Sequence, residues 1–233
     1  MADARGPLAE RGLVKVCGVT DERAVHAAAL AGADMIGLVF VAGSPREVGL
    51  GRAARLAALP RGGAALVGLF RNPALSEVEE ALESVPLDVI QLHGAESHED
   101  VARIGAGFGL PVIKAFGVSG PGDLYEAAGC PADLLLYDAK PPPGARVPGG
   151  HGAPFDWGVL AGATHTRPWL LAGGLTPDNA AEAVLACWDV AGFAGLDVSS
   201  GVEASRGIKD PEAVTRFVAA ARAAMARTAQ ETA

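Results

Sequence analysis

Hydrophobic positions along the chain fall into two alternating patterns. Short apolar runs, several rich in β-branched residues, cover 13–17, 35–40, 64–70, 87–92, 111–116, 134–138, 168–172 and 193–198. Between most of them lie amphipathic Ala/Leu-rich stretches at 22–31, 52–59, 75–84, 98–104 and 178–187, and a last one at 211–225 follows the final run. Such short, nearly continuous runs predict strands buried on both faces, as in a parallel sheet, and the longer periodic stretches predict helices. Thr20-Asp21 and Thr176-Pro177 read as helix starts, the first with a capping residue and the second with a proline at the first helical position.

Eight strand candidates recurring at roughly 20–35 residues match the βα units of a closed barrel. The expected fold is therefore α/β, a single (β/α)8 TIM barrel. An open doubly wound sheet would want a GxGxxG turn after the first strand and an acidic residue about 20 residues later. The first turn here is CGVTDER. The linker VSGPGDLYEAAGCPAD between the fifth and sixth runs leaves room only for a short or missing fifth helix. The expected organisation is an N-terminal extension at 1–12, a barrel catalytic domain at 13–227 and a C-terminal tail at 228–233. One long stretch, AKPPPGARVPGGHGAP at 139–154, has too many prolines and glycines for a regular element and predicts a lid.

Half of the 233 residues are hydrophobic, enough for one large core. A net charge of −8 argues against nucleic acid or an anionic membrane as partner, because both need a basic footprint. A small anionic substrate would have to be held by local amides and arginines. Cys17, Cys130 and Cys187 show no CxxC pairing and no His-rich companion, so neither a metal site nor a disulfide framework is expected. The N-terminal MADARGPLAERG lacks an apolar stretch, and uncharged apolar runs stay well short of the ~20 residues of a membrane span. A cytoplasmic protein without cofactor is expected, monomer or homodimer.

In this fold the chemistry sits where strands end. The first strand ends Lys15-Val16-Cys17-Gly18, the second runs into Ser44-Pro45-Arg46, and the fourth ends Gln91-Leu92-His93-Gly94. The sixth ends Tyr137-Asp138, the seventh Ala172-Gly173-Gly174, and the eighth Asp197-Val198-Ser199-Ser200-Gly201. A thiol, an arginine, a histidine and two carboxylates thus share one rim with two glycine-containing turns. That is a proton-transfer set beside an anion site, with Gly173, Gly174, Ser199, Ser200 and Gly201 placed to offer backbone amides to a phosphate. Cys130 in a loop and Cys187 on a helix read as small buried hydrophobes.

With VKVCGVT at 14–20, GLVF and SPR within 37–46, DVIQLHG at 88–94, LYDAKPP at 136–142, PGGHGAPFDW at 148–157, LAGGLTPDN at 171–179 and DVSSGVEASRGIKDP at 197–211, the chain resembles the phosphoribosylanthranilate isomerases of tryptophan biosynthesis. The motifs run in family order from Leu13 to about Met225. The resemblance implies an Amadori rearrangement of N-(5-phosphoribosyl)anthranilate by general acid–base catalysis. It implies Cys17 as the base and Asp138 as the acid. Many relatives carry GGTG where this chain has Gly149-Gly150-His151-Gly152, a departure that concerns lid closure.

The remaining assignments combine the substrate that the resemblance implies with residue chemistry. Arg46, with its planar fork, is expected to pair with the aromatic carboxylate. Asp197 is expected to bind ribose hydroxyls or to orient the site, and Gln91 and His93 to line the rim. Lys15 lies two residues from Cys17 in a strand and so on the same face, where an ammonium would lower the ordinary thiol value of ~8.5. Lys140 and Arg146 are candidates to approach the phosphate. Competing readings are another enzyme on the same scaffold, such as indole-glycerol-phosphate synthase or the two-phosphate isomerase of histidine biosynthesis, and an idle phosphosugar-binding barrel.

Overall fold

The computed structural model describes Leu8 and residues 11–140 and 155–231. Eight parallel strands close into a barrel in sequence order: β1 (Leu13–Cys17), β2 (Met35–Val39), β3 (Ala65–Phe70), β4 (Val89–Leu92), β5 (Val112–Val118), β6 (Leu134–Ala139), β7 (Trp169–Leu171) and β8 (Phe193–Val198). The expected closed barrel is thus the observed one. Helices α1 (Glu22–Ala31), α2 (Leu50–Ala57), α3 (Leu75–Ser84), α4 (His98–Phe108), α5 (Gly158–Ala161), α6 (Ala180–Cys187) and α7 (Pro211–Glu231) surround it. A short antiparallel pair, β9 (Glu203–Ser205) and β10 (Ile208–Lys209), follows β8. No helix among the described residues is long and apolar enough to cross a membrane.

Local signals explain most element ends. Asp21 caps α1 by accepting the Ala24 N–H at 2.9 Å. Ser97 and Asp100 form a reciprocal cap on α4. Between β5 and β6 there is only a 3-10 segment, Pro121–Ala127, consistent with the expected stunted fifth helix. The start of α6 differs from expectation. Thr176 N–H donates to the Asn179 side chain at 2.8 Å, which makes 176–179 a turn, so the helix begins at Ala180 and not at Pro177. The last helix runs to Glu231, with Thr228 buried against its inner side.

Strand alternation sorts the core into two shells. Outward residues such as Val14, Ile36, Leu66 and Ile90 pack with the helices. Inward residues, among them Leu13, Met35, Val67, Val89, Ile113, Leu136 and Leu170, form a separate cluster that contains no residue of α1–α7 and therefore fills the barrel. Leu8, fully buried, belongs to that inner cluster and stops the N-terminal mouth.

The N-terminal rim carries a recurring staple. Asp34, Asp88 and Asp133 each precede a strand. Their side chains accept the backbone N–H of Val14 (2.6 Å), Leu66 (2.7 Å) and Val112 (2.8 Å). Their own N–H groups donate back to the carbonyls of the same three residues. Each carboxylate thus satisfies an orphan donor at the start of the neighbouring strand.

Candidate active site

Parity within β1 sets the first layers of the site. Leu13, Lys15 and Cys17 all face inward, so Lys15 lies one step below the thiol. The register that pairs Lys15 with Asp197 across β1 and β8 also brings their side chains together, Nζ to Oδ1 at 2.9 Å, out of contact with solvent at the lysine. This pair keeps Lys15 a cation, its value raised despite burial. Cys17 is 4 % exposed and stands opposite Gly37 in the ladder. A Cβ on Gly37 would lie 2.9 Å from Sγ, so the glycine makes room for the thiol. Burial pushes the Cys17 thiol up, while Lys15 and Lys209 pull it down without overcoming burial. The expectation that Lys15 would depress the thiol below its ordinary value is therefore corrected: the ammonium is present, but desolvation outweighs it.

On the far side, Asp138 sits at the end of β6 with His93 Nε2 3.3 Å from its Oδ2. Gln91 Nε2 lies 3.1 Å from His93 Nδ1. A Gln91 amide nitrogen that donates to Nδ1 leaves Nε2 to carry the ring N–H toward Asp138 Oδ2. Gln91 is fully buried and is absent from the cavity wall. Its expected place on the rim is corrected by the period-2 alternation of β4, which puts it one layer beneath His93. Gly173 has φ +82°, and a Cβ there would lie 2.2 Å from Ala139 N and 2.8 Å from Asp138 Oδ1. Asp138 can approach the turn after β7 only because position 173 has no side chain.

Cys17, His93, Asp138 and Asp197 line one cavity of about 340 Å³, together with Gly173, Gly174, Ser199 and Ser200. Gly173 and Gly174 both take positive φ, and Ser199 leads into a one-turn 3-10 helix, Ser200–Val202. Gly201 does not reach the wall. A Cβ there would lie 1.8 Å from the Leu175 carbonyl oxygen, so this glycine lets the turns after β7 and β8 close on each other. Below Ser199 lies Lys209, buried, donating to the Ser199 carbonyl at 2.9 Å and to Glu203 Oε1 at 3.0 Å.

The opposite wall is made by Val39, Val41, Leu69, Arg46 and Arg71. Arg46 donates through Nε to Glu203 Oε1 (2.6 Å) and through Nη2 to Oε2 (3.2 Å). The expected bidentate face of Arg46 is thus already committed to Glu203, which leaves the Nη1 edge for a ligand. Lys140 pairs with Asp123 at 2.5 Å, a bond that holds the Asp123 carboxyl well below the usual range. It is anchored to the β5–β6 connection, not to the turns after β7 and β8. Arg146, His151 and most of the expected lid lie outside the described residues. Sequence reasoning missed Arg71, Glu203 and Lys209. Arg71 follows the third strand directly and was open to the same strand-end rule, whereas Glu203 gains its meaning from Arg46, far away in sequence, and Lys209 from the hairpin that brings it to Glu203 and Ser199. Among the described residues no group of three or more His, Cys, Asp or Glu is arranged to hold a metal ion.

A family model described as N-(5'phosphoribosyl)anthranilate (PRA) isomerase matches residues 14–220. An N-(5'-phosphoribosyl)anthranilate isomerase of Paracoccus denitrificans is 51% identical over 212 residues, covering 90% of this chain and 97% of the relative. One of Rhodospirillum rubrum is likewise 51% identical, over 216 residues, with the same coverage. Among solved structures, the phosphoribosyl anthranilate isomerase of Thermotoga maritima superposes with a TM-score of 0.80 at 34% identity, covering 91% of this chain and 98% of that one. A phosphoribosyl anthranilate isomerase in complex with reduced 1-(o-carboxyphenylamino)-1-deoxyribulose 5-phosphate does so with a TM-score of 0.77 at 31% identity, with the same coverage.

Proposed function

The chain belongs to the N-(5'-phosphoribosyl)anthranilate isomerase family, and from that premise we propose that Cys17 is the base and Asp138 the acid of the reaction it catalyses. That reaction is the Amadori rearrangement of N-(5'-phosphoribosyl)anthranilate to 1-(2-carboxyphenylamino)-1-deoxyribulose 5-phosphate in tryptophan biosynthesis. The observation that carries the assignment is that these two groups, from β1 and β6, line the same cavity.

Asp138 gives its proton to the furanose ring oxygen, and the C1–O bond breaks to leave an iminium. The carboxylate so formed faces His93 Nε2, 3.3 Å from its Oδ2, which can donate a hydrogen bond to it. The Cys17 thiolate then removes the C2 proton, and the C–H electrons move to give the enolamine. Return of a proton to C1 and loss of the C2 hydroxyl proton yield the ketone and reset the pair. Lys15 and Lys209 support the thiolate against burial.

The phosphate is held at Gly173, Gly174, Ser199 and Ser200, where backbone amides and the short helix start favour an anion. The anthranilate ring lies along Val39, Val41 and Leu69. Its carboxylate meets the Nη1 edge of Arg46 and the Arg71 guanidinium. Asp197 orients Lys15 and meets a ribose hydroxyl. The bound product analogue in the related structure supports a ligand of this shape in this fold. The three free thiols support a cytoplasmic enzyme, and a related isomerase of Thermotoga maritima, dimeric but also obtained as monomers, supports a monomer or homodimer.

The test follows the loss of substrate fluorescence with purified protein and fresh phosphoribosylanthranilate. Cys17→Ala and Asp138→Asn should each lower kcat by ~10²–10⁴, the range for one positioned acid or base. Both should still bind the reduced product analogue. Near-parental turnover in either variant overturns the role of that residue.

A further inference from the structure

The loop after β4 rests on a buried ion pair that takes no direct part in the site. Lys114, on β5, and Glu96 are each 3 % exposed at the side chain, with Nζ 3.1 Å from Oε2. Neither lines the cavity, whereas His93 and Gly94 do. Lys114 Nζ donates to the Gly94 carbonyl at 2.8 Å, and Glu96 Oε2 accepts the Gly94 N–H at 2.9 Å. Both backbone polar groups of the residue after His93 are thus gripped by the two members of one pair. Glu96 Oε1 also accepts the Asn72 N–H at 2.7 Å, and Asn72 Oδ1 accepts the Ala95 N–H at 2.7 Å. The fit leaves no slack: a Cβ on Gly94 would lie 2.3 Å from Asn72 Oδ1. Asn72 itself takes the left-handed φ of 48°, a conformation this bonding compensates. The Asn72 N–H and Lys114 hold the Glu96 carboxyl below its ordinary value against the effect of burial.

A buried ion pair is an inefficient way to stabilise a fold, because desolvation of both charges offsets their attraction. We propose that the Lys114–Glu96 pair is a positioning device for the acid: by fixing Gly94 it holds His93 at Asp138. The inference rests on the reading of Asp138 as the acid and of His93 as its partner.

The experiment is a double-mutant cycle with the full chain. Glu96→Gln, which keeps the shape of the side chain, should lower kcat about tenfold with KM within about twofold, since the phosphate is held on the other side of the barrel. In a His93→Ala background the same change should lower kcat by less than about twofold, because the partner it positions is gone. Losses that simply multiply in the double variant would show a merely structural pair and overturn the proposal. So would a His93→Ala single variant with parental kcat. Asn72→Ala, which leaves both buried charges in place, should show the same coupling to His93 at smaller size. It carries the test if Glu96→Gln fails to fold. Parental activity in Asp138→Asn would instead overturn the acid assignment, a result separate from the outcome of the cycle.

Discussion

The two mouths of the barrel are built from the same residue types to opposite ends. At the N-terminal mouth carboxylates are used up in structure: Asp34, Asp88 and Asp133 each exchange a pair of hydrogen bonds with a neighbouring strand, and Leu8 fills the opening. At the C-terminal mouth carboxylates of the same kind, Asp138 and Asp197, face a cavity instead. At one end the carboxylates serve the backbone, and at the other they face a cavity, Asp197 while paired with Lys15 and Asp138 beside His93. Stability and activity should therefore separate by rim.

The sharpest way to break that division is Gly173→Ala. The added methyl must displace Ala139 N and the Asp138 carboxylate. Since a misplacement of about 1 Å costs on the order of 10² in rate, kcat should fall by ~10² or more in a steady-state assay, with a lower Tm as well. Leu8→Ala should do the reverse. Truncating a fully buried leucine costs ~2–5 kcal/mol of stability in urea melts, and kcat should stay at the parental value. Asp133→Ala should cost ~1–3 kcal/mol, because the Val112 N–H loses its acceptor, again with unchanged kcat.

Smaller effects sharpen the account of the catalytic rim. Arg71→Ala should raise KM about tenfold, the scale of one charge-assisted bond, with little change in kcat. An unchanged KM would remove Arg71 from the carboxylate subsite. The smallest effect is a shift of titration. Burial raises the Cys17 thiol, so its alkylation by iodoacetamide should accelerate with pH about a midpoint above the ordinary ~8.5. Lys209→Met removes an opposing cation, so less thiolate exists at any given pH and the midpoint should move further up. Glu203 keeps Arg46 as partner in that variant, which preserves the fold. A midpoint that moved down would contradict the electrostatics described for the thiol.

The barrel itself was legible in the chain because parallel strands buried on both faces leave unbroken apolar runs. The runs at 13–17 and 193–198 match β1 and β8 residue for residue. Proton-transfer candidates were legible because this fold places chemistry at strand ends, and Cys17 and Asp138 do share a cavity. Depth was less so. Gln91 and His93 differ by one layer, which the period of two in β4 already implied. Lys114, Glu96, Glu203 and Lys209 carry no sequence signal of their burial, which depends on the loops and the hairpin that bring their partners to them. The aspartate staples did leave a local signal, a helix end followed by Ala-Asp or Leu-Asp before an apolar run, at 33–34, 87–88 and 132–133.

Those staples also make the chain divisible. Each joins an odd strand to the even strand after it, β1 to β2, β3 to β4 and β5 to β6, and none spans the connection from α4 to β5. A backbone opened near Gly109 keeps every staple within one fragment or the other, whereas a break between β3 and β4 parts Leu66 from Asp88. Two co-expressed halves cut at the first place should reassemble more readily than two cut at the second.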